Sequence, residues 1–387
     1  MTTDNLARPT ARALPLPVVL VAIPAIMTIV GLLLRYAGYA ATVPDASLAA
    51  FADGLCRWDC EWYVRLAESG YDPFPVPRMI MAGNWAFFPA YPMFIGLLRL
   101  ITGLETTLVA TIASIMLANA AVMLAWPLLE RNLRAYTLYA TFILAGPASL
   151  YFTTFYTEVL FVLLTTAVFV ALRRGNYLAA GLIGALLSAT RIVGVFIVFA
   201  IVIQALVDHR KSGGTWLSFV PAALKRPDLV LAVFVAPLGL FAYMAFLHFH
   251  IGDALAFQHV QVAWARRLDN PLEFLWNGLN RWPSEGYLPT VSQFLALSAI
   301  LGLALTAVLA WRRHFAAAAF SLICIMLPLG AGLASMMRFV TALAPVMILL
   351  ATLLSRWWIV WAAAMLACLV GGYYAPIGWI KEYLLLV

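Results

Sequence analysis

The sequence predicts an all-α polytopic membrane protein, and three observations do so. Of its 387 residues, 64% are hydrophobic and only 11% are charged. The mean hydropathy is +0.94. Apolar runs of ~15–25 residues recur along the chain without the period-two alternation of strands. A soluble domain of this size would need more charged surface, and the missing alternation excludes an outer-membrane barrel. The net charge of +7 lies mainly in short arginine clusters at the ends of apolar runs. It reads as a topology signal, with no nucleic-acid partner expected.

In chain order, the polar, arginine-bearing start MTTDNLARPTARALPLP leads into an apolar segment at 17–39. No small-residue cleavage site follows a short apolar core, so this is expected to be a retained first span. Further candidate segments run 85–101, 106–128, 135–153, 157–172, 177–190, 192–207, 229–249, 290–311, 315–334, 339–355 and 357–374. If all of them crossed the bilayer with Arg8 and Arg12 inside, Arg131 and Arg134, Arg173 and Arg174, and Arg312 and Arg313 would all fall outside. That contradicts the positive-inside bias at three separate places. Removing 85–101 repairs all three together. This segment is short, begins Trp85-Ala86-Phe87-Phe88-Pro89 and holds two prolines, the marks of a helix lying along the membrane surface.

About eleven spans remain. The loops at 130–134, 173–176, 208–228 and 312–314, with Arg356, then share one side. The first outer loop (40–104), the turn at 154–156, Arg191, the second outer loop (250–289) and the turn at 335–338 share the other. Segments 177–190 and 192–207 are each short for a ~30 Å core, so Arg191 is expected in a broken or tilted hairpin. The whole chain, 1–387, reads as one integral membrane domain.

The polar residues on that second side are the candidates for chemistry. In the first loop, a helix over 57–69 would put Asp59 and Tyr63 on one face and Arg57, Glu61 and Arg65 on another. Asp59, beside Trp58 and one turn from Trp62, is a carboxylate in an apolar setting and a candidate general base. Glu61 is its rival. Glu158 heads an apolar helix, where the helix dipole tolerates an acid, and is a candidate acceptor contact or orienting partner. Arg191 stands alone within mostly apolar sequence, where a charge costs about 2.5–3.5 kcal/mol and needs a counter-ion, either a carboxylate or a substrate phosphate. Arg338, in Ser335-Met-Met-Arg-Phe339, invites the same reading.

Gln258, His259, Trp264, Arg266 and Arg267 suit sugar hydroxyls and phosphate. His248 and His250 lack metal-ligand spacing, and no P-loop, dinucleotide fingerprint or nucleophile elbow occurs. Asp59, Glu61 and Glu158 could hold a divalent ion such as Mg or Mn, although no spacing compels it; no other cofactor is expected. Of the four cysteines, Cys324 and Cys368 sit in apolar spans as packing residues. Cys56 and Cys60, four apart and taken as helical, are expected to be free thiols, since that spacing is poor disulfide geometry.

With these residues in view, Arg57-Trp58-Asp59, Trp62-Tyr63, Gly70-Tyr71 and Ala86-Phe87-Phe88-Pro89 through Tyr91-Pro92 resemble the PIG-V-type mannosyltransferases. These are polytopic enzymes of the GT-C fold. The resemblance continues at Tyr156-Thr157-Glu158, Thr190-Arg191, Gln258 to Trp264, and Arg338. It implies a GT-C-like bundle with amphipathic juxtamembrane helices in the first outer loop, and a catalytic acid there. It also implies inverting transfer of a hexose, by family habit mannose, from a polyprenyl-phosphate carrier to a lipid or glycan acceptor. Carried onto this chain, Asp59 is the base. Arg191, Arg338 and one of Arg266 or Arg267 bind the phosphate, and Arg57, Trp58, Trp62, Tyr63, Glu158, Gln258, His259 and Trp264 contact acceptor or sugar. Glu61 departs from the family, which has a small or neutral residue there. Short loops suggest a bacterial member in the inner membrane, its site facing the periplasm.

Two rivals come from other classes. A flippase or transporter of lipid-linked sugar would place polar residues at mid-membrane in internally repeated halves, whereas here they gather on one side. A non-catalytic subunit of a larger complex would leave Asp59 without a task.

Overall fold

A computed structural model describes residues 15–75, 82–264, 266, 268–280 and 290–381, and the elements formed are helices. The chain enters through α1 (Leu16–Ala40), whose first turn carries Pro17, a residue suited to a helix start because no amide is needed there. The first loop then holds α2 (Phe51–Gly54), α3 (Asp59–Ser69), a 3₁₀ turn at Asn84–Ala86, and α4 (Ala90–Thr102). There follow α5 (Thr106–Ala125), α6 (Leu133–Leu144), α7 (Ser149–Thr153), α8 (Glu158–Arg173), α9 (Tyr177–Ser188), a 3₁₀ turn at Ile192–Phe196, and α10 (Ile197–Lys211). Asn132 and Asn176 cap α6 and α9 by accepting backbone N–H bonds. After α11 (Trp216–Leu224), α12 (Pro227–Val235) and α13 (Leu238–Ile251) form one crossing, and α14 (Ala256–His259) and α15 (Pro271–Asn280) lie in the second loop. The chain closes with α16 (Val291–Trp311), α17 (Phe315–Leu329), α18 (Met336–Thr341), α19 (Ala344–Leu354) and α20 (Trp358–Ile380).

Among the described residues, 6 helices are long and apolar enough to cross a bilayer: Leu16–Ala40, Thr106–Leu129, Ile192–Lys211, Pro227–Ile251, Val291–Trp311 and Trp358–Ile380. The shorter α6, α8, α9, α17 and α19 pack among them. A continuous buried core runs from Tyr39 to Trp379. Segment 85–101, expected to lie along the membrane surface, carries the turn at Asn84–Ala86 and α4. Helix α4 has 13 residues, about 20 Å. It buries Tyr91, Pro92 and Ile95 and exposes Met93, Leu97, Leu100 and Ile101.

The bundle has two chemically different ends. Arg173 donates to the Pro127 carbonyl, and Trp361 Nε1 donates to the Arg134 carbonyl at 3.0 Å. Burial pushes the His314 imidazole down, as do Arg312, Lys211 and Arg173, against an opposing pull from Glu130. The basic loops therefore meet at one end. Helix α8 runs from that end at Arg173 to Glu158, about 24 Å away, and Glu158 lies among Asp59, Arg191 and Arg338.

Single cysteines at Glu130 or His314 should accordingly react with an impermeant thiol reagent from one face of sealed vesicles. Cysteines at Asp253 or Gln261 should react from the other, in a Cys324→Ser, Cys368→Ser background. Labelling of both sets from the same face would contradict this topology.

Candidate active site

The site begins with a turn. Expected helix 57–69 starts only at Asp59, because Trp58 has φ 60° and ψ −121°, the first inner position of a type II′ turn and a region glycine favours. The Cys60 amide donates to the Arg57 carbonyl at 3.2 Å across it. Holding a tryptophan there costs about 1–3 kcal/mol, and three contacts hold it. Tyr156 Oη donates to the Arg57 carbonyl at 2.8 Å, and Trp379 Nε1 donates to the Leu55 carbonyl at 2.9 Å. Cys56 and Cys60 form a disulfide with Cα atoms 5.3 Å apart. This corrects the expectation of free thiols: Cys56 stands outside the helix, so the turn brings it within bridging range.

The turn delivers Asp59 and, one helical turn on, Tyr63 to the wall of a cavity of about 670 Å³. Arg338 Nη1 donates to Asp59 Oδ2 at 2.6 Å. Arg338 Nε lies 3.0 Å from Glu158 Oε1, an ion-pair contact off the line of a hydrogen bond. Arg191 Nη1 donates to the same Glu158 oxygen. Arg191 sits at the break between α9 and α10 in extended conformation, with φ −156°. The chain doubles back so tightly there that a Cβ at Gly194 would lie 2.2 Å from the Leu187 carbonyl. Both guanidiniums lie over Phe339, Arg191 at 4.9 Å and Arg338 at 5.5 Å from the ring centre.

Arg266 closes the polar side. Its Nη2 donates to Ser335 Oγ at 3.3 Å, and among the described residues it has no carboxylate in ion-pair contact. Burial pushes its guanidinium below the ordinary value, and the neighbouring charge of Arg338 adds to the effect. Burial raises the Tyr63 phenol, helped by Glu158 and Asp59, so it remains a neutral donor; its Oη lies 3.2 Å from Thr157 Oγ1. Three arginines face two carboxylates, leaving the region one positive charge in surplus.

Of the residues singled out from sequence, Asp59, Tyr63, Arg191, Gln258, His259, Trp264, Arg266 and Arg338 line this cavity. His259 Nδ1 is 2.8 Å from Asp253 Oδ2. The others stand elsewhere. Glu61 is exposed and, with Arg57, lines a separate cavity of about 370 Å³ beside Asp53, Arg65 and Glu68. Arg65 pairs with Asp72 at 2.6 Å rather than with Glu61. Trp62 lies behind the wall, stacked 5.7 Å from Phe87 and edge-on to Trp264 at 5.7 Å. Trp58 lines neither cavity. Glu158 is 1% exposed and sits behind the arginines. Arg267 lies outside the described residues.

Asp59, Glu61 and Glu158 thus do not converge as a ligand set, and no group of three or more His, Cys, Asp or Glu that could hold a metal ion occurs among the described residues. Sequence reasoning passed over Phe161, Phe196, Gln261 and Phe339 on the cavity wall. Phe339 adjoins Arg338, and Phe161 is one turn from Glu158, so adjacency to the singled-out charges would have found both. It also passed over Asn84, fully buried, whose amide bridges Gly70 and Asp72 and folds the Phe87-Phe88-Pro89 block over α3.

Residues 32–212 match the family model described as Mannosyltransferase (PIG-V). A relative from Cricetulus griseus, "GPI alpha-1,6-mannosyltransferase 2", is 28% identical over 225 residues, covering 53% of this chain and 43% of that protein. The protein of the same name from Mus musculus is 26% identical over the same length and coverage. The chain therefore spans less than half the length of these relatives. The crystal structure of the Archaeoglobus fulgidus oligosaccharyltransferase in the apo form aligns over 94% of this chain and 56% of that one, at a TM-score of 0.45 and 14% identity. That likeness is too distant to bear on function.

The disulfide has a direct consequence. Alkylation of the denatured protein should modify Cys324 and Cys368 alone, and two further cysteines only after reduction, as read by intact mass. Modification of all four cysteines without reductant would contradict the bridge.

Proposed function

We propose that this chain, whose residues 32–212 match the family model described as Mannosyltransferase (PIG-V), is an inverting membrane glycosyltransferase. It would take a hexose, mannose by analogy with its named relatives, from a polyprenyl-phosphate carrier and pass it to a lipid or glycan hydroxyl. The observation that carries the reading is the ion-pair cluster that sets Asp59, Arg338 and Arg191, with Glu158 behind them, on the wall of a largely apolar cavity.

The charge balance favours this donor. A sugar linked to a polyprenyl phosphate carries a single negative charge, which the surplus cation of the cavity neutralises, whereas a nucleotide sugar carries two. Val193, Phe196, Leu327 and Leu343 line the apolar part and suit an isoprenoid chain. In the reaction the acceptor oxygen attacks the anomeric carbon. The bond from that carbon to the phosphate oxygen breaks, and its electron pair leaves with the polyprenyl phosphate. Asp59 takes the acceptor proton, an effect worth about 10²–10⁴-fold. Arg191, Arg338 and Arg266 face the charge that builds on the departing phosphate, where fixed cations act most strongly. Gln258, His259 and Trp264, at the mouth, are placed to contact sugar or acceptor hydroxyls.

The gathering of basic loops at the far end supports a site on the extracytoplasmic side of the membrane, the periplasmic face of a bacterial inner membrane. A disulfide beside the site fits an oxidising compartment. A transporter of lipid-linked sugar is less well supported, since the charged groups meet at one end of the bundle and not at its middle.

Purified protein given radiolabelled polyprenyl-phosphate mannose and membrane lipids should form a new glycoside. Asp59→Asn should lower the rate at least about 100-fold while keeping affinity for polyprenyl phosphate. Glu61→Gln, on the other side of α3, should keep turnover within about threefold of wild type, the ordinary reach of a surface change. Normal turnover by Asp59→Asn, or its loss in Glu61→Gln alone, would transfer the base to another residue.

A further inference from the structure

We infer that Glu158 is a positioning residue: it fixes the guanidinium groups of Arg191 and Arg338 at the spacing that receives a phosphate, and does not itself touch substrate. The inference deepens the functional reading above and rests on it.

Glu158 comes from the first residue of α8, Arg191 from the break between α9 and α10, and Arg338 from α18. One carboxylate oxygen, Oε1, meets both arginines, so a single atom ties three separate elements together. The side chain is 1% exposed and is missing from the cavity wall, whereas both arginines belong to that wall. An acceptor hydroxyl in the cavity would therefore meet the arginines before it met Glu158. The two guanidiniums share one aromatic ring, Phe339, which sets two like charges side by side in a poorly solvated place. They remain there because a carboxylate stands behind them. The second arm of Arg338 reaches Asp59, so displacement of Arg338 would also move the partner of the proposed base. With Asp59 counted, two carboxylates meet three arginines, and Arg266, bonded to Ser335 Oγ, leaves one positive charge toward the cavity, where a phosphate would sit.

The test measures polyprenyl phosphate binding and transfer kinetics on the full chain for Glu158→Gln, Glu158→Asp, Arg191→Gln and the pair Glu158→Gln/Arg191→Gln, with melting temperatures alongside. Glu158→Gln should lose about 100-fold or more in kcat/KM, mostly in kcat, as when a preorganised donor is misaligned. It should bind polyprenyl phosphate about tenfold more weakly, and Glu158→Asp should recover part of both. Because Glu158 acts through the arginines, the double variant should lose less than the product of the two single losses, the part that remains coming from Arg338. Should Glu158→Gln fail to fold, the double variant, which removes one charge of each sign, carries the comparison. Wild-type binding and turnover in Glu158→Gln, or losses that simply multiply in the double variant, would overturn the inference while leaving the transferase reading intact. A wild type that binds polyprenyl phosphate yet makes no glycoside would overturn the transferase reading, and the Glu158 inference would then be decided by binding alone. A wild type that binds no polyprenyl phosphate would overturn both.

Discussion

A guanidinium taken out of water inside a helical bundle needs acceptor oxygens, as Arg35 finds at Leu144 and Ser149, or an opposite charge, and the second requirement shapes the end of the fold that holds Arg191 and Arg338. Removing one partner of such a buried pair costs about 3–5 kcal/mol, a large share of the stability of an ordinary domain. Arg191 and Arg338 both meet it at Glu158, and Arg338 meets it again at Asp59. Four segments far apart in sequence are drawn to one place as a result. The break after α9, the αL residue Ser335 before α18 and the head of α8 all serve that convergence.

The first loop supplies the fourth segment by a different device. Trp58 adopts a backbone conformation costly for any residue with a side chain. The disulfide, the Tyr156 and Trp379 hydrogen bonds and the buried Asn84 bridges over-determine the structure around it. The consequence is directional. Asp59 turns toward the cavity and Glu61, two residues on, turns away from it. A chain that ran smoothly into a helix at Arg57 would not present its acid at this angle. Local strain is thus tied to the orientation of a single carboxylate, the arrangement expected where geometry serves chemistry.

Much of the fold was legible in the sequence because membrane physics leaves few alternatives. Hydropathy marked the apolar segments, and the arginine bias together with short length and two prolines set 85–101 apart from them; α4 there is short and two-faced. The same reasoning placed Asp59, Glu158, Arg191 and Arg338 on one side, and they form one cluster. What sequence could not supply was direction within an element. The helix assumed over 57–69 starts two residues late, and the turn in its place joins Cys56 to Cys60. Burial depth was also invisible: Glu158 and Trp62 were chosen for the chemistry of their side chains, yet both stand behind the wall and not on it. Asn84 lies in a polar stretch like any loop asparagine, and only its bridges to Gly70 and Asp72 reveal its task.

A single cationic wall facing an apolar chamber is the feature from which the fold, the charge balance and the chemistry all follow. A structure of the full chain with polyprenyl phosphate bound tests it most directly. The phosphate should lie within hydrogen-bond distance of Arg191, Arg338 and Arg266, with Glu158 still behind them and the isoprenoid chain against Val193, Phe196 and Leu327. A phosphate bound at the basic loops of the opposite end, or beside Glu61 and Arg57 in the second cavity, would contradict it.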